Sequence, residues 1–157
     1  MRMNEFVVRE AILADVAATT KDGVIREMVQ SLSAAGHFRG VELEDVVRKI
    51  LQRETLGSTG IGRNVAIPHA KHGSVDRLIG TLAVCRRGIP FESLDGLPVH
   101  VLVMLISPQD RPGDHLRALE YVSRSLRDDA FVNSLKAAAD RDAICRLLDQ
   151  LDGQPGR

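Results

Sequence analysis

The stretch from Arg53 to His72, R-E-T-L-G-S-T-G-I-G-R-N-V-A-I-P-H-A-K-H, gathers a guanidinium, a glycine-rich turn and an imidazole within one loop's reach. A neutral imidazole can attack phosphorus and hold it covalently, and His69 is the nucleophile this pattern offers. Gly57, Gly60 and Gly62 let backbone N–H groups turn toward phosphate oxygens, and Ser58 and Thr59 add hydroxyls between them. Arg53 carries a planar fork that can pair two such oxygens at once. Each part also has a plain reading. An arginine suits the last turn of a helix, a glycine-rich turn is commonly a tight connection, and a histidine after a proline is commonly a surface group. Their succession in one segment is what points to phosphoryl chemistry, which asks for little beyond positioning and charge neutralisation.

Pro68 fixes its own φ and drives Ile67 toward an extended conformation, so His69 leaves the apolar run Val65–Ile67 in a narrow range of directions. The glycines do not make a nucleotide loop, because no G-K-[ST] follows the second one. His72 lies three residues beyond His69, but two histidines and Lys71 lack the carboxylate or thiolate that completes a zinc site, so no metal is expected. Lys71 suits an acidic partner or a phosphate, and equally a solvated loop. A second candidate lies downstream, where Asp114 can cap a helix beginning at His115. An imidazole there sits at a positive dipole end that favours its neutral form and attracts anions.

The run G-S-T-G-I-G-R-N-V-A-I-P-H-A-K, preceded by R-E and followed by D-H-L-R-A-L at Asp114–Leu119, resembles the enzyme IIA domain of the bacterial phosphotransferase system, in its fructose, mannitol and nitrogen-regulatory class. The resemblance extends over nearly the whole chain. It implies a phosphotransferase with a mixed sheet, carrying phosphate on His69. His115 is implied as the second active-site histidine, with Leu116 and Leu119 in its H-L-x-x-L pattern, and Arg53 and Thr59 as phosphate contacts. It further implies a donor of the HPr type, or its nitrogen-branch counterpart, and an acceptor of the enzyme IIB type or a regulated target. No cofactor is required, because the donor is itself a protein. A-I-P-H-A-K is most similar to the nitrogen-regulatory type; a sugar-specific IIA and a never-phosphorylated binding module of the same fold are the alternatives. Ala70 stands where the family often has glycine.

The composition narrows the classes further. Lys plus Arg and Asp plus Glu are 21 each in 157 residues, so no basic field is present for nucleic acid. Cys85 and Cys145 lack ligand spacing and read as reduced thiols. No apolar run approaches the roughly 20 residues of a membrane span, and no secretory segment opens the chain, so a cytoplasmic protein is expected.

The elements that must position these groups follow from periodicity. Residues 6–18 read as a short helix or turn leading into a strand. Thr19 or Thr20 caps a helix that Gly36 ends, and a second helix runs from Glu42 to Glu54, with Glu54 either orienting Arg53 or exposed. Leu78–Cys85 reads as a buried strand closed by a turn at R-R-G-I-P, and Val99–Ile106 as a central strand, with His100 structural. After His115, Leu116, Leu119, Val122 and Leu126 form an apolar helix face, and Asp128 or Asp129 and then Asp140 cap two more helices. The expected fold is α/β: one domain over residues 1–152, a mixed sheet with helices on both faces, and a frayed tail over 153–157. Its central requirement is that segments 53–72 and 107–115 meet.

Overall fold

The computed structural model describes residues 1–154. Its strands are β1 (Gly60–Gly62), β2 (Val65–Ala66), β3 (His69–Lys71), β4 (Ile79–Ile89) and β5 (Val99–Ser107). Helices α1 (Lys21–Ala34) and α2 (Val41–Thr55) precede them, and α3 (Pro112–Ser125), α4 (Asp129–Ala137) and α5 (Arg141–Asp152) follow. The sheet is built on β5, whose V-L-V-M-L-I run is wholly buried, as expected of a strand covered on both faces. On one side β5 pairs in parallel with β2 and then β3; on the other it pairs antiparallel with β4. Strands β2 and β3 are two pieces of one line alongside β5, interrupted where Pro68 has no N–H to offer the ladder, and β1 pairs antiparallel on the outer side of β2. The Pro68 carbonyl still accepts from the Leu105 amide at 3.0 Å, so the register continues into His69.

Alternating side chains divide the core in two. Val65, Ile67, Val101, Val103 and Leu105 pack beneath α3, α4 and α5, whereas Ala66, Ala70, Leu102, Met104 and Ile106 pack against α1 and α2. Helices therefore cover both faces, as the alternating pattern implied, and the sheet is mixed, as the family resemblance implied. The N-terminal segment forms single 3-10 turns at Met3–Glu5 and Arg9–Ala11 and bridges β4 through Val7 and Leu13. The two ends of the fold are clasped together. Asp152 accepts from the Met3 and Asn4 amides at 2.8 and 3.0 Å, and Asn4 and Arg9 both bind Asp149.

Several boundaries match the expected ones and others differ for identifiable reasons. Thr20 caps α1 by accepting from the Gly23 amide at 3.1 Å, and Asp128 and Asp140 cap α4 and α5. The R-R-G-I stretch is not a turn: β4 runs through it with an irregularity between Val84 and Ile89, where Gly88 takes φ 77° and pairing resumes. Asp114 does not cap α3, because Pro112 opens that helix, its fixed φ and missing N–H suiting the first position. Leu116 points outward, 58% exposed, and Ala118 and Tyr121 hold the buried face in its stead. Gly153 and Gln154, expected to fray, donate back to the Asp149 and Leu151 carbonyls; the rest of that tail, residues 155–157, lies outside the described residues.

Candidate functional site

Strand alternation decides which way the reactive residues face. His69 continues the side of Val65 and Ile67, and Ser107 continues the side of Val103 and Leu105, so both face the layer that α3 covers. His115 lies in the first turns of α3, its amide donating to the Arg111 carbonyl at 3.3 Å. The two imidazoles consequently meet, with ring centroids 5.3 Å apart and planes tilted by 55°. The two segments that had to come together do so.

The Nδ1 atom of His69 lies 2.8 Å from the Ile67 carbonyl oxygen. A carbonyl can only accept, so the ring hydrogen of the neutral form sits on Nδ1 and the lone pair on Nε2. Burial pushes the His69 pKa below its ordinary value; the Ile67 carbonyl opposes that shift, and the positive charge of Arg53 adds to it. The site thus holds a neutral imidazole with one free basic nitrogen. His115 is pushed further, to about 4, first by burial and then by repulsion from the protonated form of His69 and from Lys71. Its Nδ1 is hydrogen-bonded to the Ser107 hydroxyl. Among the described residues, the buried polar side-chain atoms without a partner are Thr81 Oγ1 and Ser93 Oγ, so His115 Nε2, which bonds to no protein atom, opens to solvent.

Arg53 stands in the last turn of α2 and donates from Nη1 to the Gly57 carbonyl at 2.9 Å. The remainder of its fork has no partner among the described residues. Glu54 neither orients Arg53 nor is exposed. It is buried, pairs with Lys21 at 2.9 Å, and accepts from the Thr59 amide at 3.1 Å and from the Thr59 hydroxyl. Lys21 also lies 4.8 Å from the Phe91 ring centroid, which closes the back of the loop.

This clip gives the expected phosphate-binding hydroxyls other partners. Thr59 is 5% exposed and bound to Glu54, and Ser58 donates to the Phe91 carbonyl at 2.6 Å while accepting from the Gly60 amide at 3.0 Å. Gly60 and Gly62 lie in β1, not in an open cradle. A Cβ on Gly60 would fall 2.2 Å from Ser93 Oγ, so close packing accounts for that glycine. Gly62 takes φ 92° beside Asp95, a backbone conformation that favours glycine. His72 turns away from His69: its Nδ1 accepts from the Ser74 amide at 3.0 Å and its Nε2 lies 2.5 Å from Asp45. His100 donates to the Cys85 carbonyl at 2.8 Å. Sequence reasoning missed Ser107 and Lys21. The β5 alternation, carried one step past Ile106, would have put Ser107 on the face of His69; nothing local marks Lys21.

Comparison with known proteins places the chain in a family. Residues 5–151 match the family described as "Phosphoenolpyruvate-dependent sugar phosphotransferase system, EIIA 2", and the chain belongs to that family. A nitrogen regulatory protein of Bradyrhizobium diazoefficiens is 36% identical over 148 residues, covering 94% of this chain and 95% of the relative. A fructose-specific EIIABC component of Bacillus subtilis is 34% identical over 152 residues, 97% of this chain but 24% of that longer protein. The crystal structure of the nitrogen regulatory protein IIA-Ntr from Neisseria meningitidis superposes with a TM-score of 0.83 at 27% identity, covering 92% of this chain and 97% of that one. Among the described residues, no helix is long and apolar enough to cross a membrane.

Proposed function

We propose that the protein is a phosphohistidine carrier that takes a phosphoryl group from an HPr-type protein on His69 Nε2 and passes it on or presents it as a regulatory signal. The observation that carries this reading is the neutral His69 ring, tied through Nδ1 to Ile67, with Nε2 free and His115 and Arg53 beside it. The donor's N–P bond breaks and its electron pair returns to the donor ring, while the His69 Nε2 lone pair forms the new N–P bond. His69 keeps its Nδ1 hydrogen on the Ile67 carbonyl, so no proton moves in the step. The developing positive charge on the ring faces a carbonyl dipole that can bear it. Arg53 and His115 bind the equatorial oxygens, where charge gathers during transfer. Thr59, Ser58, Gly60 and Gly62 act behind them by shaping the loop.

A regulatory role in the nitrogen branch is favoured by the relative from Bradyrhizobium, which this chain matches over nearly its full length. A dianionic group on His69 could switch a partner interface by repulsion or by recruiting cations. Feeding a sugar-specific enzyme IIB is the second reading, supported by the identity to the fructose component. Incubation with phosphoenolpyruvate, enzyme I and each HPr-type carrier tests both. The wild type is expected to gain acid-labile phosphate and His69→Ala to gain none; label surviving in His69→Ala ends the assignment. Candidate IIB domains added afterwards separate the branches, since a sugar-specific carrier is stripped of label by its cognate IIB. A chain that no carrier labels is a binding module.

A further inference from the structure

Resting on the carrier reading, the geometry points to Ser107 as a positioning residue: its hydroxyl donates to His115 Nδ1 and so fixes the hydrogen of His115 on Nε2, where it can donate to the phosphoryl group carried by His69. A histidine beside a phosphate helps only in one of its neutral forms. With hydrogen on Nε2 it donates to a phosphate oxygen; with hydrogen on Nδ1 it turns a lone pair toward that oxygen and repels it. Nothing in α3 itself makes this choice, because the one hydrogen bond of the His115 ring comes from outside that helix. The choice falls to whatever meets Nδ1, and that is Ser107.

A serine hydroxyl can donate or accept, so the direction must come from its surroundings. Ser107 is fully buried, and the hydrogen bond of its Oγ is the one to His115. If His115 Nδ1 were the donor, the hydroxyl hydrogen would be left in the interior without an acceptor, at a cost of about 1–3 kcal/mol. If the hydroxyl donates, both atoms are satisfied. The His115 hydrogen then sits on Nε2, the ring nitrogen left without a protein partner, in a ring whose centroid lies 5.3 Å from that of His69. The backbone steadies the arrangement as well. Ser107 pairs with Lys71 at the end of the β3–β5 ladder, and its carbonyl accepts from the His72 amide at 2.9 Å, so the serine and the segment bearing His69 are held by the same strands.

The opposite hydrogen placements of the two histidines follow from this. His69 has hydrogen on Nδ1 and a lone pair on Nε2, as an attacking nitrogen needs, whereas His115 has the reverse, as an oxygen-binding donor needs. One is set by a carbonyl, which only accepts, and the other by a hydroxyl that has nowhere else to donate.

The test is nitrogen NMR of the intact protein labelled with 15N-histidine, with transfer rates from a phosphorylated HPr-type carrier. The wild type is expected to show His115 with a protonated Nε2 and a bare Nδ1. Ser107→Ala is expected to let Nδ1 take up hydrogen in part of the population and to slow phosphoryl acceptance about tenfold, the worth of one hydrogen bond. Ser107→Thr, which keeps a hydroxyl, restores both the tautomer and the rate. Wild-type His115 with hydrogen on Nδ1 overturns the inference without any variant having to fold. So does a Ser107→Ala protein that keeps both the tautomer and the rate of the wild type. These failures differ from failure of the carrier reading: wild type labelled on His69 but with the wrong His115 tautomer sinks the role of Ser107 alone, whereas wild type that no carrier labels sinks both.

Discussion

Protonating His115 would put a positive charge next to His69 and Lys71 in a pocket that leaves the ring little water. Its folded value of about 4 lies below the ordinary 6.5, so between those two the unfolded chain binds a proton that the folded chain refuses. Stability therefore rises with pH across that window and falls as acid is added, by at most about 3 kcal/mol, less whatever solvent screens. Below about pH 4 both states are protonated and the loss levels off. Urea melts across the window are expected to show this slope in the wild type and a shallower one in His115→Asn, with the depressed pKa of His69 leaving a residual slope of the same sign. An unchanged slope would mean that His115 takes up its proton freely. At this scale the sequence was informative where a residue belongs to a local pattern, as His69 does in A-I-P-H. It was silent where a residue's role depends on docking. Ser107 reads as the polar end of an apolar strand until α3 comes down beside it.

The end of α2 and the loop after it behave as one element because Glu54 ties them. Its carboxylate holds Lys21 from α1, itself with only 14% of its side chain exposed, and both donors of Thr59. Glu54→Ala leaves the two donors of Thr59 without acceptors and the partly buried Lys21 ammonium with only Glu92, 3.7 Å away, to pair with, which is expected to cost about 3 kcal/mol in a urea melt. Glu54→Gln, which still offers an oxygen to Thr59, should cost less. Both should slow labelling of His69, because the loop that Arg53 grips at Gly57 loses its anchor. A wild-type melt for Glu54→Ala would show the clip to be dispensable. This element was half legible. Helix periodicity located α2 and its final arginine, but the adjoining glutamate looks like any surface carboxylate, since its partner Lys21 lies far back in the chain. The same limit affected β4, where R-R-G has every mark of a turn. Only the antiparallel partner β5, resuming at Val99 opposite Ile89, shows that the strand continues.

For the whole molecule, the proposed function requires a protein donor to dock around the half-buried imidazole of His69. Exposed apolar side chains adjoin the site residues in sequence: Leu116, next to His115, is 58% exposed, and Leu56, next to Gly57, is 83% exposed. A single exposed leucine needs no explanation in general, but one adjoining the site makes a test. Leu116→Glu is expected to raise the carrier concentration for half-maximal labelling about tenfold, as loss of a modest contact residue does, while leaving the thermal melt in place. No change would move the docking surface elsewhere. Alternating helical and strand patterns revealed the layered class of this fold, but not that β2 and β3 run parallel to β5 while β4 runs against it, because pairing order is decided by long-range packing that periodicity does not encode. The clasp of Met3, Asn4 and Arg9 on Asp149 and Asp152 has a different bearing. A chain whose first and last turns already touch is close to a ring, so a short Gly/Ser bridge between them could be sewn in without straining any strand. Such a circle would have far fewer shapes to explore when denatured, and a fresh cut at a surface turn would give a permuted chain with the same sheet, its beginning and end moved to a new place on the surface.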